Sequence, residues 1–214
     1  MGRVYEATWG RGFAALYDRV LKATEEAGLR DRRRELLAQA RGATLELGAG
    51  TGLNFDLYPA EVTELVLTEP SPHMARQLRA RVSGASSGRP VEVLEAPAEH
   101  LPLPDDRFDT VVGTLVLCTV DDPSRTLDEV ARVLKPGGRM LFLEHVRASD
   151  PDLARWQDRL HGPWRFFGAG CHCNRDTPST LQASRLSVER LEHGELPKAP
   201  PITRPLIAGS ATAS

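Results

Sequence analysis

A glycine-rich segment, Glu46 to Gly52, has the spacing that points most directly to ligand binding. Its glycines, at positions 48, 50 and 52, follow an apolar run that predicts a strand and precede the start of a predicted helix. Because glycine has no Cβ atom, such a loop lets the backbone approach a ligand closely. A dinucleotide-binding turn would need its third glycine at the position of Leu53, and no Gly-Lys-Ser/Thr follows, which disfavours both kinds of phosphate-binding loop.

Glu69 ends the next predicted strand and adds an acidic group to the same region. Its carboxylate is an acceptor suited to the two vicinal hydroxyls of a ribose. Either feature alone is weak evidence, since exposed acidic residues are common. The order strand, glycine loop, helix, strand and acid is more specific, and it predicts that loop and acid serve one site.

Two histidines are candidates for a general base. His145 lies at the carboxyl end of the fifth predicted strand, and His172 lies in the loop after a Trp-containing helix. Imidazole accepts protons near neutral pH, although a structural histidine is the commoner role at such positions. The unit Cys171-His172-Cys173 has zinc-ligand residue types, but it is too short to close a tetrahedral site and has no second Cys pair, so we expect no metal.

Strand-like and helical segments alternate from Thr44 onward and would position these residues. Short apolar runs begin near residues 44, 64, 90, 108 and 139, with helical patterns between several of them. This alternation predicts βαβ units and a parallel sheet, with ligands at the carboxyl ends of the strands. The segment 135–138, Lys-Pro-Gly-Gly, predicts a turn between a helix ending near Leu134 and a strand beginning near Arg139.

Two amphipathic helices are predicted before the sheet, from the helical spacing of Phe13, Leu16, Tyr17, Val20 and Leu21 and of Leu36, Leu37 and Ala40. Acidic residues accompany the basic run 30–34, which favours a solvated helix face over a nucleic-acid patch.

After Pro151 we expect a helix that places Trp156 in the core. Phe166 and Phe167 suit a core or a substrate pocket equally well. A short helix near Thr180 and two strands near residues 186–192 and 202–208 are predicted to complete the chain.

Composition narrows the class of protein. With 214 residues, 41% of them hydrophobic and 26% charged, the chain fits one globular domain. A formal net charge of −2 offers no basic surface for nucleic acid, so we expect a small-molecule partner. No apolar run approaches the ~20 residues of a membrane helix, so no stable membrane insertion is expected. Three cysteines are unlike a secreted disulfide scaffold and favour the cytoplasm, and we expect a monomer or a homodimer.

These motifs resemble those of the class I methyltransferases that use S-adenosylmethionine. Glu46-x-Gly48-x-Gly50-x-Gly52 is similar to the family's first motif, and Glu69 to its ribose-binding acid. The resemblance implies a single-domain, doubly wound, Rossmann-like α/β fold whose mostly parallel sheet has seven strands, the last antiparallel, with helices on both faces. It also implies cofactor contacts from Glu46, Gly48, Ala49, Gly50, Gly52, Glu69, Pro70, Ala98, Glu99, Thr114 and Leu115.

A closer similarity is to the thiol methyltransferase subgroup and its small bacterial relatives. It is carried by residues 114–118, by Glu144-His145-Val146, by Gly170-Cys171 and by residues 175–177. The resemblance implies in-line methyl transfer to a small thiol, hydroxyl or amine, with residues 1–42 contributing to a substrate lid and residues 43–214 forming the cofactor-binding core. A non-catalytic cofactor-binding module is the main alternative, and a nicotinamide-dependent oxidoreductase is a weaker one.

Overall fold

The computed structural model describes residues 11–85, 88–168 and 170–213. In the first helix, the side chains of the predicted apolar residues Phe13, Leu16 and Val20 lie outside the described part. Within the part that is described, no helix is both long and apolar enough to cross a membrane.

Seven strands form one sheet in the order β3-β2-β1-β4-β5-β7-β6. The first five pair in parallel, whereas β7 runs antiparallel to both β5 and β6. The predicted mostly parallel seven-stranded sheet is therefore confirmed. The strands are β1 (Gly42–Leu47), β2 (Val62–Thr68), β3 (Val91–Leu94), β4 (Phe108–Thr114), β5 (Leu134–His145), β6 (Leu186–Glu195) and β7 (Pro205–Ala213).

Helices cover the sheet, and the central strands are buried because their Val- and Leu-rich sequences have apolar neighbours on both faces. Asp122 and Asp150 begin two of the helices, since each carboxylate accepts a backbone N–H in the first turn and a proline follows. The helices are α1 (Arg11–Thr24), α2 (Arg30–Leu37), α3 (Pro72–Ser83), α4 (Pro123–Val133), α5 (Pro151–Phe167) and α6 (Thr177–Gln182), with a π-helical turn at Glu25–Leu29 and short 3-10 turns at Phe55–Leu57 and Pro201–Thr203.

The predicted turn at residues 135–138 lies inside β5 instead. Phe108 pairs with Leu134 and Thr110 with Arg139, so the Lys-Pro-Gly-Gly segment is an insertion within the ladder between β4 and β5. Gly137, with a φ of 74°, lets the strand leave and rejoin its register. Turns and insertions of this kind use the same residue types, so the sequence pattern of the segment predicted a turn.

The expectation that Trp156 lies in the core is wrong, because 53% of this residue is exposed. Gln157 faces the sheet instead, where its amide donates to the carbonyls of Val146 and Ile202 and accepts from the Ala148 N–H. Helical spacing identifies a stripe of residues but not which stripe faces the sheet, and here hydrogen bonding by Gln157 sets the rotation of α5. Phe166 and Phe167 are also exposed, at 55% and 60%.

Candidate active site

The glycine loop follows β1, and its glycines serve different purposes. Gly50 has a φ of 59°, lines a pocket and donates its N–H to Glu69 Oε2 at 2.9 Å. Gly52 has a φ of 87°, and a Cβ atom there would lie 2.8 Å from Leu78 Cδ1 of α3. Only the first of these two positions faces the pocket, whereas the second allows α3 to pack against the loop.

Glu69 is buried at the carboxyl end of β2, directly beside the glycine loop. Besides the Gly50 N–H, its carboxylate accepts the Ser71 N–H at 2.8 Å. The Glu69 N–H donates to the carbonyl of Leu94 at the end of β3. The predicted acid and loop are thus in direct contact, and the parallel pairing of β1 with β2 and β2 with β3 places them there.

The pocket above the loop is lined by polar groups as well as by loop backbone. Glu46 is buried at its base, where its carboxylate accepts from Asn54 Nδ2 at 2.8 Å and from the Tyr58 hydroxyl at 2.7 Å. Burial raises the pKa of Glu46 to about 7, and the two hydrogen bonds offset only part of this effect. The lining residues are Tyr17, Arg33, Glu46, Gly48, Ala49, Gly50, Leu53, Asn54 and Thr114.

Arg33 is a pocket residue that sequence reasoning missed. It belongs to the basic run 30–34, yet it is only 3% exposed, unlike its neighbours in the run. Its guanidinium donates to Thr114 Oγ1 at 2.7 Å, to Asn54 Oδ1 at 3.2 Å and to Glu25 Oε1 at 3.0 Å. The sequence signal was its place on the same helix face as the buried Leu36 and Leu37. Arg33 gives the pocket its positive charge.

Helix α1 lies against the same pocket. Asp18 accepts a hydrogen bond from Thr51 Oγ1 of the glycine loop at 2.6 Å and pairs with Arg81 of α3 at 3.2 Å. Tyr17 lines the pocket, and burial raises its pKa to about 12. These contacts attach the N-terminal helix to the loop that it covers.

The other predicted cofactor contacts surround this pocket but do not all line it. Thr114 lies in it, and Leu115 follows with a φ of 60°, a strained conformation for a leucine that places its N–H 2.8 Å from the Leu143 carbonyl. Ala98 is buried in the loop after β3, whereas Pro70 is exposed. Glu99 accepts from the Asp121 N–H at 2.8 Å, so its carboxylate connects two loops.

The loop that follows β4 is fixed by a buried carboxylate on β5. Glu144 accepts the backbone N–H groups of Val116, Leu117 and Cys118 at 2.9, 3.0 and 3.3 Å. Burial raises the pKa of Glu144, although these donors and the neighbouring His145 oppose the increase. Arg175 holds the same loop by donating to the carbonyls of Leu117 and Val120.

A buried cluster of Cys118, His145 and Cys171 lies beside this loop, with its sulfur and imidazole atoms within 4.8 Å of one another. His145 Nε2 lies 2.8 Å from Cys171 Sγ, and the Trp164 indole N–H donates to the same sulfur at 3.0 Å. These two atoms are in direct contact, closer than the roughly 3.5 Å that separates two ligands of one tetrahedral zinc ion. The unit with zinc-ligand residue types in the sequence, Cys171-His172-Cys173, is a different set of residues.

The charges of this cluster are coupled. The pKa of Cys171 is lowered to about 4, chiefly by the neighbouring Cys118 thiol, with help from His145 and Trp164. Burial alone would lower the pKa of His145, but the adjacent Cys171 side chain outweighs this effect and raises it. His145 Nδ1 is buried and has no hydrogen-bond partner among the residues described.

His172 has a different environment from His145. Its Nδ1 lies 2.9 Å from His161 Nε2, and its backbone N–H donates to the Cys118 carbonyl at 2.7 Å. Burial, together with the positive charge of Arg175, lowers the pKa of His172 to about 4. The ring is therefore neutral at pH 7 and a weak base.

Comparison with known proteins agrees with this geometry. Residues 45–142 match the sequence profile described as a methyltransferase domain. The chain is 35% identical over 183 residues to the thiol S-methyltransferase TMT1B of Homo sapiens, covering 81% of this chain and 75% of that protein. It is 34% identical over 169 residues to the thiol S-methyltransferase TMT1A of Homo sapiens, covering 78% and 69%.

A solved structure shares the fold at lower sequence identity. It is an S-adenosylmethionine-dependent methyltransferase from Thermotoga maritima with a TM-score of 0.67 and 22% identity, covering 95% of this chain and 97% of that one. The same family is indicated by the glycine loop, by the acid at the end of β2 and by the relatives that match most of the chain. The chain belongs to the S-adenosylmethionine-dependent methyltransferases, in the family that includes the thiol S-methyltransferases, and it transfers methyl groups to small molecules.

Proposed function

We propose that the methyl acceptor is a thiol and that His145 removes its proton. The observation that carries this proposal is the buried, unpartnered Nδ1 of His145 at the carboxyl end of β5, where β5 lies beside β4 and the pocket residue Thr114. The names of the relatives, thiol S-methyltransferases at 34–35% identity, support the same acceptor.

The chemistry of the acceptor also favours a thiol. The cofactor's methyl group is attached to a sulfonium and is already electrophilic, so the acceptor needs orientation and a free electron pair. A thiol with a pKa near ~8.5 can lose its proton to an imidazole at little cost. An aliphatic hydroxyl is far less acidic, and a neutral amine needs no base. A histidine in this place is therefore best matched to a thiol.

We assign the cofactor's parts to the loops around the pocket. Glu69 binds the ribose hydroxyls, and the loop containing Ala98 and Glu99, with Pro70 nearby, meets the adenine. Arg33 pairs with the carboxylate of the cofactor's methionine part and Glu46 with its ammonium, since both charges line the pocket. The backbone at Gly48, Ala49 and Gly50, together with Thr114 and Leu115, completes the cradle, and Gly52 contributes by letting α3 pack against the loop.

The remaining assignments are also proposals. Residues 1–42 contribute to a substrate lid over the core of residues 43–214, which is supported by the contacts of Tyr17 and Asp18 with the glycine loop. His172 Nε2 is also buried without a partner among the described residues, but the contact of its Nδ1 with His161 and its lowered pKa make His172 the weaker base, so it takes a secondary role. Three unpaired cysteines support a cytoplasmic location. We expect a monomer or a homodimer, without nucleic acid as a partner.

The test is a methyl-transfer assay with three acceptors, 2-mercaptoethanol, phenol and benzylamine, and with S-adenosylmethionine as donor. We expect S-adenosylhomocysteine to accumulate with 2-mercaptoethanol, and the thioether to appear by mass spectrometry. Transfer to phenol or benzylamine alone would refute the thiol assignment. Saturable cofactor binding without transfer to any acceptor would favour the non-catalytic binding module.

A further inference from the structure

Cys171 Sγ lies against two nitrogen atoms, and these contacts favour the charged form of the sulfur. The Trp164 indole can only donate, and its Nε1 lies 3.0 Å from that sulfur. His145 Nε2 lies 2.8 Å away, and the Cys118 sulfur lies within 4.8 Å. A neutral thiol is a weak acceptor, whereas a thiolate satisfies both nitrogen donors.

The same contact determines which nitrogen of His145 is available. When Nε2 carries the hydrogen that faces the sulfur, the lone pair of a neutral imidazole is on Nδ1. That atom is buried without a partner in the described residues, and buried polar atoms are rarely left so. The histidine of a catalytic triad has the same arrangement. There an aspartate contacts one ring nitrogen and orients the ring, and the other ring nitrogen accepts the proton.

We propose that Cys171, as a thiolate, is a positioning residue that holds His145 in the tautomer whose Nδ1 accepts the proton of the methyl acceptor. This inference rests on the proposed thiol methyltransferase function. The acceptor's S–H proton moves to His145 Nδ1 as its sulfur forms a bond to the methyl carbon. The bond from that carbon to the sulfonium breaks, which leaves a thioether, neutral S-adenosylhomocysteine and an imidazolium that later loses its proton to solvent.

The charges around His145 agree with this role. Among the described residues, Cys171 and Glu144 are the strongest negative influences on the ring, and Arg175 is a positive one. Glu144 is occupied by the backbone N–H groups of residues 116–118, which leaves Cys171 as the anion in direct contact with the imidazole. An anion at that contact stabilises the imidazolium formed during transfer.

The test compares two thiol acceptors, of which only one carries a proton that a base must remove. 2-Mercaptoethanol carries its proton at neutral pH, whereas 4-nitrothiophenol is already a thiolate. Cys171→Ala should lower kcat for 2-mercaptoethanol about 30- to 100-fold and move the acid limb of its pH profile to lower pH, because the imidazolium loses its anion. Transfer to 4-nitrothiophenol and the cofactor Kd should stay within about threefold of the wild type.

Cys173→Ala is the matched control, because this buried thiol in the same loop contacts the Gln157 carbonyl at 3.7 Å and not His145. This variant should leave unchanged the rate of transfer to both acceptors and the acid limb of the pH profile. Cys171→Ser, which keeps the size of the side chain without its charge, should shift the acid limb as Cys171→Ala does and serves if the alanine variant fails to fold.

Three outcomes would overturn the inference. If Cys171→Ala lowers kcat equally for both acceptors, the role of Cys171 is merely structural. If the acid limb of the pH profile does not move, the Cys171 thiolate is excluded as the partner of His145. One equivalent of zinc in the purified wild type, lost in Cys171→Ala, would make Cys171 a metal ligand instead. A wild-type protein that methylates neither thiol would refute the proposed function itself, which distinguishes that failure from the other three results.

Discussion

The pocket above the glycine loop and the cysteine–histidine cluster lie at the same edge of the sheet but are assembled in different ways. Much of the pocket comes from one short segment, residues 46–54, with Glu69 following one strand later. The cluster instead joins positions 118, 145 and 171, which come from a loop, a strand end and a second loop. A site made from one continuous segment can be recognised by its spacing, whereas a site assembled by the fold leaves no such signal.

The comparison also separates two tasks. The pocket has charged groups of both signs, Arg33 and Glu46, which suit a ligand with a carboxylate and an ammonium. The cluster instead contains soft or titratable groups, two cysteines and a histidine. If this division holds, substitutions in the pocket should change cofactor affinity, and substitutions in the cluster should change the rate of transfer.

The largest effect is expected for His145→Gln, which keeps a polar side chain but removes the base. We expect kcat for 2-mercaptoethanol to fall about 100- to 1000-fold, the range usual for loss of a general base. The cofactor Kd, measured by isothermal titration, should change less than twofold. A large loss of cofactor affinity in this variant would break the division between the two regions.

The next largest effect is expected for Glu69→Ala, which removes the acceptor for the ribose hydroxyls. Loss of hydrogen bonds to a carboxylate should weaken S-adenosylmethionine binding about 50-fold. Glu61→Ala is the control, because this exposed acid precedes the opposite end of β2. Equal affinity in the Glu69 variant and the wild type would refute the ribose assignment.

A smaller effect is expected for Arg33→Met, which keeps an unbranched apolar side chain but removes the charged guanidinium. We expect cofactor binding to weaken about tenfold, since one ion pair to the cofactor's carboxylate is lost. Arg34→Met is the matched control, because Arg34 is an exposed neighbour paired with Asp31. A lower rate of transfer with an unchanged cofactor affinity would indicate instead that Arg33 acts on the methyl acceptor.

The smallest effect is a pH dependence of cofactor affinity that involves Glu46. Because its pKa is about 7 in the free protein, this carboxyl is mostly protonated at pH 5.5, and a cationic ligand binds the protonated form less tightly than the carboxylate. Affinity should therefore fall about fivefold as the pH decreases from 7.5 to 5.5. Arg33, Tyr58, Asn54 and Glu69 act on the same carboxyl, so the comparison is made with Glu46→Gln, whose affinity should vary less. If cofactor affinity depends equally on pH in the wild type and in Glu46→Gln, Glu46 is excluded as the titrating group.

The sequence by itself determined the fold class, the glycine loop and the acid that faces it. Strand periodicity sets which residues can be buried, and a left-handed backbone next to a packed helix requires glycine, as at Gly52. These requirements act over a few residues, so they are visible as spacing. Resemblance to known motifs then identified the cofactor.

Only the tertiary structure decided which side chains meet. Arg33 was in a run that suggested a solvated face, but the rotation of α2 buries it against Thr114. Trp156 was expected in the core, but hydrogen bonds from Gln157 turn it outward. Cys171 meets His145 because β5 ends where the loop after α5 returns to the sheet. Contacts between distant segments depend on how whole elements pack, and helical or strand periodicity does not encode that packing.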